Sequence, residues 1–150
     1  MRKRLFIGLV AALAATLTFG GAAQADGGGR PFTVELSGTA EVPGPGDPDA
    51  SGTASLRLNP GQERVCLDID WAGIDGTVVA GHIHVGTATE AGPVVVTLFT
   101  GSFAGTDGVS GCVATDRELV LDILRDPENY YINVHSTPNF PPGAIRGQLG

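Results

Sequence analysis

Lysine is absent after position 3, and the whole chain carries only three histidines, two cysteines and one methionine. Each scarcity excludes something. All sixteen acidic residues lie beyond position 25, against six arginines in the same stretch, a net charge of −10 there. A surface of that sign repels phosphate backbones and anionic lipid, so nucleic-acid binding and a membrane-surface role are set aside. With two cysteines and no CxxC spacing there is no zinc-ribbon arrangement. No Walker-type loop, dinucleotide fingerprint or nucleophile elbow occurs. No internal repeat divides the chain either.

The one long uncharged run is at the start. Met1-Arg2-Lys3-Arg4 is cationic, Leu5 to Gly21 is apolar or small over about 17 residues, and Ala23-Gln24-Ala25 has the form of a cleavage site. Residues 1–25 are therefore expected to be a signal peptide that directs secretion. A retained anchor is the alternative, but the run is at the lower edge of a spanning length. Residues 26–31 read as a flexible N-terminal tail, and 32–149 as one domain with one core. In an oxidising compartment Cys66 and Cys112 are expected to form a disulfide, closing a loop worth ~4 kcal/mol of chain entropy. A cysteine metal ligand is the rival.

Short alternating runs fill the domain. Phe32 to Leu36, Ala54 to Leu58 and Val65 to Trp71 have period-two apolar patterns, and Val78 to Val85, Val94 to Phe99, Tyr130 to His135 and Ala144 to Leu149 are further strand candidates. Glycine, proline, asparagine and aspartate clusters separate them. The pattern predicts an all-β fold, an antiparallel Greek-key sandwich or barrel. Gly101 to Gly111 reads as a flexible loop. One short helix is expected at about 116–125, with Thr115 as N-cap, Glu118 closing a capping box and Pro127 ending the run.

The histidines are placed unevenly. His82 and His84 stand two apart in a strand pattern, so they project from one face, and His135 ends a second strand candidate. Alternation puts Val79, Gly81, Ile83 and Val85 on one face, with Val78, Ala80, His82 and His84 on the other, unless a β-bulge intervenes. On the later strand Tyr130, Ile132 and Val134 oppose Tyr131, Asn133 and His135. The histidines then lie on the outer face of the sheet, under the long loops. Three imidazoles from two strands suit a transition metal, copper first and zinc second, provided the three rings converge on one point. The competing reading is that they bond loop carbonyls or sit in solvent. Glu41 is expected in a structural salt bridge or loop hydrogen bond. Arg146 either pairs with Glu41, pinning the termini together, or guides an anion toward the histidine face. Asp68 and Asp70 share a face with Cys66 and read as a solvated edge.

Ala40-Glu41-Val42-Pro43, Gly81-His82-Ile83-His84-Val85-Gly86, Tyr130-Tyr131-Ile132-Asn133-Val134-His135 and Ile145-Arg146-Gly147-Gln148-Leu149 occur in the order found in CHRD (chordin-type) domains. The resemblance runs from about Phe32 to Leu149. It implies an extracellular all-β binding module, found in chordin, which binds bone morphogenetic proteins, and in exported bacterial proteins. A fainter resemblance links the His-x-His strand, the later Val-His pair and the arginine after it to copper/zinc superoxide dismutase. Carried over, His82, His84 and His135 match copper ligands and Arg146 loosely matches an anion-guiding arginine. No histidine is left for a bridging position or a zinc site, so zinc binding of that type is excluded. The expected function is a secreted binding module with a three-histidine copper site and an extracellular protein or a metal ion as partner. The alternatives are a copper-only dismutase-like redox enzyme and a structural, partner-binding envelope protein without metal.

Overall fold

A computed structural model describes residues 28–150, and the expected signal peptide lies outside the described residues. Eight strands form one antiparallel sheet: β1 (Arg30–Ser37), β2 (Ser51–Asn59), β3 (Arg64–Ala72), β4 (Thr77–Val85), β5 (Val94–Thr100), β6 (Gly108–Ala114), β7 (Tyr130–Thr137) and β8 (Ile145–Gln148). Their spatial order is β5-β4-β7-β8-β1-β2-β3-β6. Edge strand β5 pairs with its sequence neighbour β4, edge strand β6 is reached by a crossover, and β5 and β6 approach each other, so the sheet curls into a nearly closed barrel. Closing the sheet in this way shields the two edges that would otherwise offer unpaired backbone groups.

Period-two alternation supplies the core. Val34 and Leu36 of β1, Leu56 and Leu58 of β2, Val65 and Ile69 of β3, and Ile132 and Val134 of β7 point inward and are buried. Each such side chain contributes roughly 1.5–3 kcal/mol by leaving water. Trp71, Phe99 and Phe103 pack together at the seam, with centroids 5.1–6.1 Å apart, and the Trp71 indole N–H donates to the Thr106 carbonyl. Gly81 admits the Phe99 ring, which would overlap any Cβ at that position.

Four details differ from the sequence expectations. Strand β6 occupies Gly108–Ala114, the second half of which lies beyond the expected loop and the first half inside it. Glycines at 108 and 111 hide its alternation, and its place is set by pairing along β3. Cys66 and Cys112 are register partners there and form the disulfide. Strand β1 begins at Arg30, two residues inside the stretch read as a tail. Helix α1 (Arg117–Arg125) is capped by Asp116 rather than Thr115. The Thr115 N–H is already bonded to the Glu63 carbonyl, which keeps that residue extended, and Asp116 accepts from the N–H groups of Glu118 and Leu119. The helix closes one end of the barrel with Val120 and Ile123 buried, and the guanidinium groups of Arg117 and Arg30 tie it to the Pro60 and Leu124 carbonyls.

The fourth difference bears on the site. A register shift between Val78 and Ala80 turns Val78 into the core, so it does not share the histidine face. Beyond the bulge the expected alternation holds, with Gly81 and Ile83 inside and His82 and His84 outside.

Candidate metal centre

On the outer face, β7 runs between β4 and β8. His84 stands opposite Tyr131, His82 opposite Asn133, and Arg146 opposite Asn133 from the other side. His135 follows two residues after Asn133 on the same face. Two strands thus hold all three imidazoles with little ordering cost beyond that of the sheet. The outer face is roofed here by the loop that carries Glu41 to Pro45, by residues 139–143, and by Ala91 and Gly92.

The rings converge. His82 Nδ1 lies 3.0 Å from His135 Nε2, and one nitrogen from each of the three histidines lies within 4.8 Å of the other two. Metal–nitrogen bonds near 2 Å require nitrogens about 3.3 Å apart in a tetrahedral site and about 4 Å at most, so the wider separation has to close by roughly 1 Å and the His82–His135 contact has to open slightly. The remaining nitrogens fix which atoms face inward. His84 Nδ1–H donates to the Gly92 carbonyl at 2.8 Å, and His135 Nδ1–H donates to the Pro141 carbonyl at 2.9 Å. Both rings are thereby held in the tautomer whose Nε2 carries the lone pair, the usual outer-shell device of a metal-ligating histidine. His84 Nε2 is buried and has no partner among the described residues. The donor set is His82 Nδ1, His84 Nε2 and His135 Nε2.

Burial favours the neutral form of His82 and His135. Burial, followed by repulsion from His135 and His84, pushes the His82 imidazole down to about 4. Burial also lowers His135, against the opposing pull of the Pro141 carbonyl. Neutral imidazole is the ligating form; in the metal-free site His82 Nδ1–H donates to His135 Nε2, so binding requires His82 to move that proton to its Nε2.

The family model of the CHRD domain matches residues 32–149. The chain belongs to the CHRD domain family. Neither the curated proteins nor the solved structures compared with the chain match it.

Within this CHRD domain the polar layer extends past the histidines. Tyr131 stacks on His84, with centroids 4.8 Å apart and planes 11° from parallel, and the Arg146 guanidinium covers the other face of Tyr131 at 3.4 Å. Arg146 is 1% exposed and donates from Nη2 to the Thr87 and Glu90 carbonyls. It therefore anchors the loop after β4. Gln148 does the same work beside it, donating to the Gly86 and Glu128 carbonyls. Glu41 is buried on this face but forms no ion pair with Arg146; among the described residues the ion pair formed is Arg125 with Asp122. Burial pushes the Glu41 carboxyl up to about 7, and the nearby Arg146 charge and the Asn133 amide only partly oppose this.

Tyr131 and Asn133, which alternation sets on the outer face without a role, belong to this layer, and so does Gln148, the register partner of Tyr131. Their signal was there: a face rich in buried-type and amide residues on a strand that has its apolar set on the other side. The Gly92 and Pro141 carbonyls leave no trace in sequence, because any residue supplies a carbonyl. Asp68 and Asp70 are exposed on the opposite side of the barrel, beside the half-buried Cys66.

Proposed function

We propose that this CHRD domain is a secreted binding module whose outer face holds one transition-metal ion on His82, His84 and His135, copper in the first place and zinc in the second. The observation that carries the reading is the pair of backbone carbonyls that take the Nδ1–H groups of His84 and His135 and leave both Nε2 atoms free of a proton, in a cluster where one nitrogen of each histidine lies within 4.8 Å of the others. Histidines that merely decorate a sheet have no reason to be aligned by outer-shell bonds toward a common point. Three nitrogen ligands leave a further coordination position, and imidazole donors suit copper and zinc alike. Secretion is supported by the cationic and apolar start of the sequence and by the disulfide.

The test is a copper(II) titration of the purified chain with metal analysis and EPR after desalting. One retained copper with nitrogen hyperfine structure, lost in His82→Ala, is the expected result. Equal metal uptake by the wild type and the triple alanine variant refutes the reading. The redox-enzyme alternative gains less from the geometry, since the buried Arg146 spends its Nη2 on loop carbonyls and gives a diffusing anion no exposed charge. A copper-loaded protein that is silent in a superoxide assay would remove that alternative.

A further inference from the structure

A chamber of about 380 Å³ opens beside the histidine triad, between the loop of Glu41 to Pro45 and residues 139–143. Glu41, Pro43, His84, Tyr131, Asn133 and Phe140 are among its walls. Its chemistry is one-sided. Glu41 Oε1, Asn133 Oδ1 and His84 Nε2 are buried and have no hydrogen-bond partner among the described residues. Asn133 Oδ1 and His84 Nε2 are lone pairs, and the Glu41 carboxyl, which burial keeps protonated up to about pH 7, presents lone pairs alone once ionised. His84 Nε2 is a lone pair because its Nδ1 carries the proton to Gly92, and the Asn133 amide nitrogen is the side of that group turned to Glu41. The Tyr131 hydroxyl, the wall's own donor, is occupied by the Gly92 backbone. Each buried acceptor left without a donor costs about 1–3 kcal/mol, so the walls are built for an occupant that brings the missing donors.

A metal ion on the triad takes up the lone pair of His84 and leaves those of Glu41 and Asn133. We infer that the chamber is the ligand subsite of the metal centre and selects small protic molecules: a lone pair for the metal at one end, and an N–H or O–H group for Glu41 and Asn133 at the other. Water, alcohols and unsubstituted azoles belong to this class. Ligands of the same donor strength without a hydrogen leave both acceptors unpaired and bind less well. This inference rests on the metal-binding reading above.

Imidazole and 1-methylimidazole separate the cases, since they offer the metal the same lone pair and only the first carries an N–H. The full chain loaded with one equivalent of copper(II) and desalted is titrated with each, followed by EPR and by its visible absorption. Imidazole is expected to bind at least about tenfold more tightly, the effect of one hydrogen bond to a buried acceptor. Glu41→Met and Asn133→Leu, which delete the acceptors, are each expected to reduce that preference severalfold. Equal affinity of the two azoles for the wild type overturns the inference, and this comparison needs no variant to fold. An undiminished preference in both variants overturns it too, because the selectivity then has another source. Copper retained with nitrogen hyperfine but without discrimination sinks the subsite alone. No retained copper sinks the metal reading and the subsite with it.

Discussion

The metal-free protein carries two groups, half-buried His82 and buried Glu41, whose titrations oppose each other, and Glu41→Gln should expose this. Folding pushes His82 from its ordinary 6.5 down to about 4. Between those values the unfolded chain binds the proton that the folded chain refuses, so stability rises with pH and is lost as pH falls. Folding pushes Glu41 from 4.5 up to about 7. Here the folded chain holds the proton, so its contribution is intact below pH 4.5 and is lost as pH rises toward 7. At ~1.4 kcal/mol per pH unit each displacement has an upper bound of ~3 kcal/mol, and screening by solvent at the rim of the chamber reduces this to ~1–2 kcal/mol. The two contributions have similar size and opposite sign across nearly the same window. Wild-type stability should therefore vary little between about pH 4.5 and 6.5 on their account, with a slight acid lability from His135, which is shifted in the same direction as His82. Glu41→Gln removes one arm. The variant should match the wild type near pH 4.5 and exceed it by ~1–2 kcal/mol at pH 7.5. Urea unfolding of both proteins in the presence of a chelator, at four pH values, measures this. Parallel stability curves over the whole range would refute the reasoning, since they would mean that the Glu41 carboxyl is not held protonated by burial.

Other consequences can be checked with the same protein. Reduction of the Cys66–Cys112 bridge, which closes a separation of 46 residues, should cost ~4 kcal/mol and increase hydrogen exchange first along β6. Asp116→Ala should lower stability by ~1 kcal/mol in a thermal melt, and Thr115→Ala by clearly less, because Asp116 makes both cap bonds. Gly81→Ala should destabilise by ~1–3 kcal/mol, as the new methyl group displaces Phe99 from the seam, and near-ultraviolet circular dichroism of Trp71 should report the repacking. Metal at a hundredfold excess over its dissociation constant should raise wild-type stability by ~2.7 kcal/mol and leave His84→Ala nearly unmoved, read by denaturant unfolding with and without copper.

The histidine face was legible because strand alternation is a strict period, and along β4 it survives the register shifts against β5 at Gly81/His82 and Ile83/His84. His82, His84 and His135 needed no more than that and the adjacency of β4 and β7. What alternation could not supply was local. The bulge at Val78 shifts one residue and leaves no sequence mark, since valine suits either face of a strand. Strand β6 hid behind Gly108 and Gly111, whose small size removes the apolar signal while the disulfide and the β3 register supply the stability. The helix cap moved by one residue because the Thr115 N–H was spoken for by Glu63, a contact from a distant turn. Glu41 and Arg146 were both expected on structural grounds and both are buried, yet each finds different company. The guanidinium takes a tyrosine face and two carbonyls, and the carboxyl takes the wall of the chamber.

Their separation is the strongest argument that this face is kept for something other than stability. An outer sheet face can remain in water at no cost, or be covered with apolar side chains at a gain. Here it is covered, and the covered groups are polar: Asn133 and Arg146 are 2% and 1% exposed, Glu41 and His84 each 8%. Unpaired atoms remain on all four. At about 1–3 kcal/mol per unpaired group, the layer offsets a large part of what a domain of this size has in hand. Apolar residues of the same volume would remove that cost without disturbing the inner core. A Glu41–Arg146 ion pair would reduce it as well, and the two side chains lie near enough for their charges to be felt. The chain keeps them apart. Arg146 is committed to holding the roof over the site, and Glu41 stands free at its edge. A wall of unpaired acceptors beside three aligned imidazoles makes physical sense once an occupant completes it.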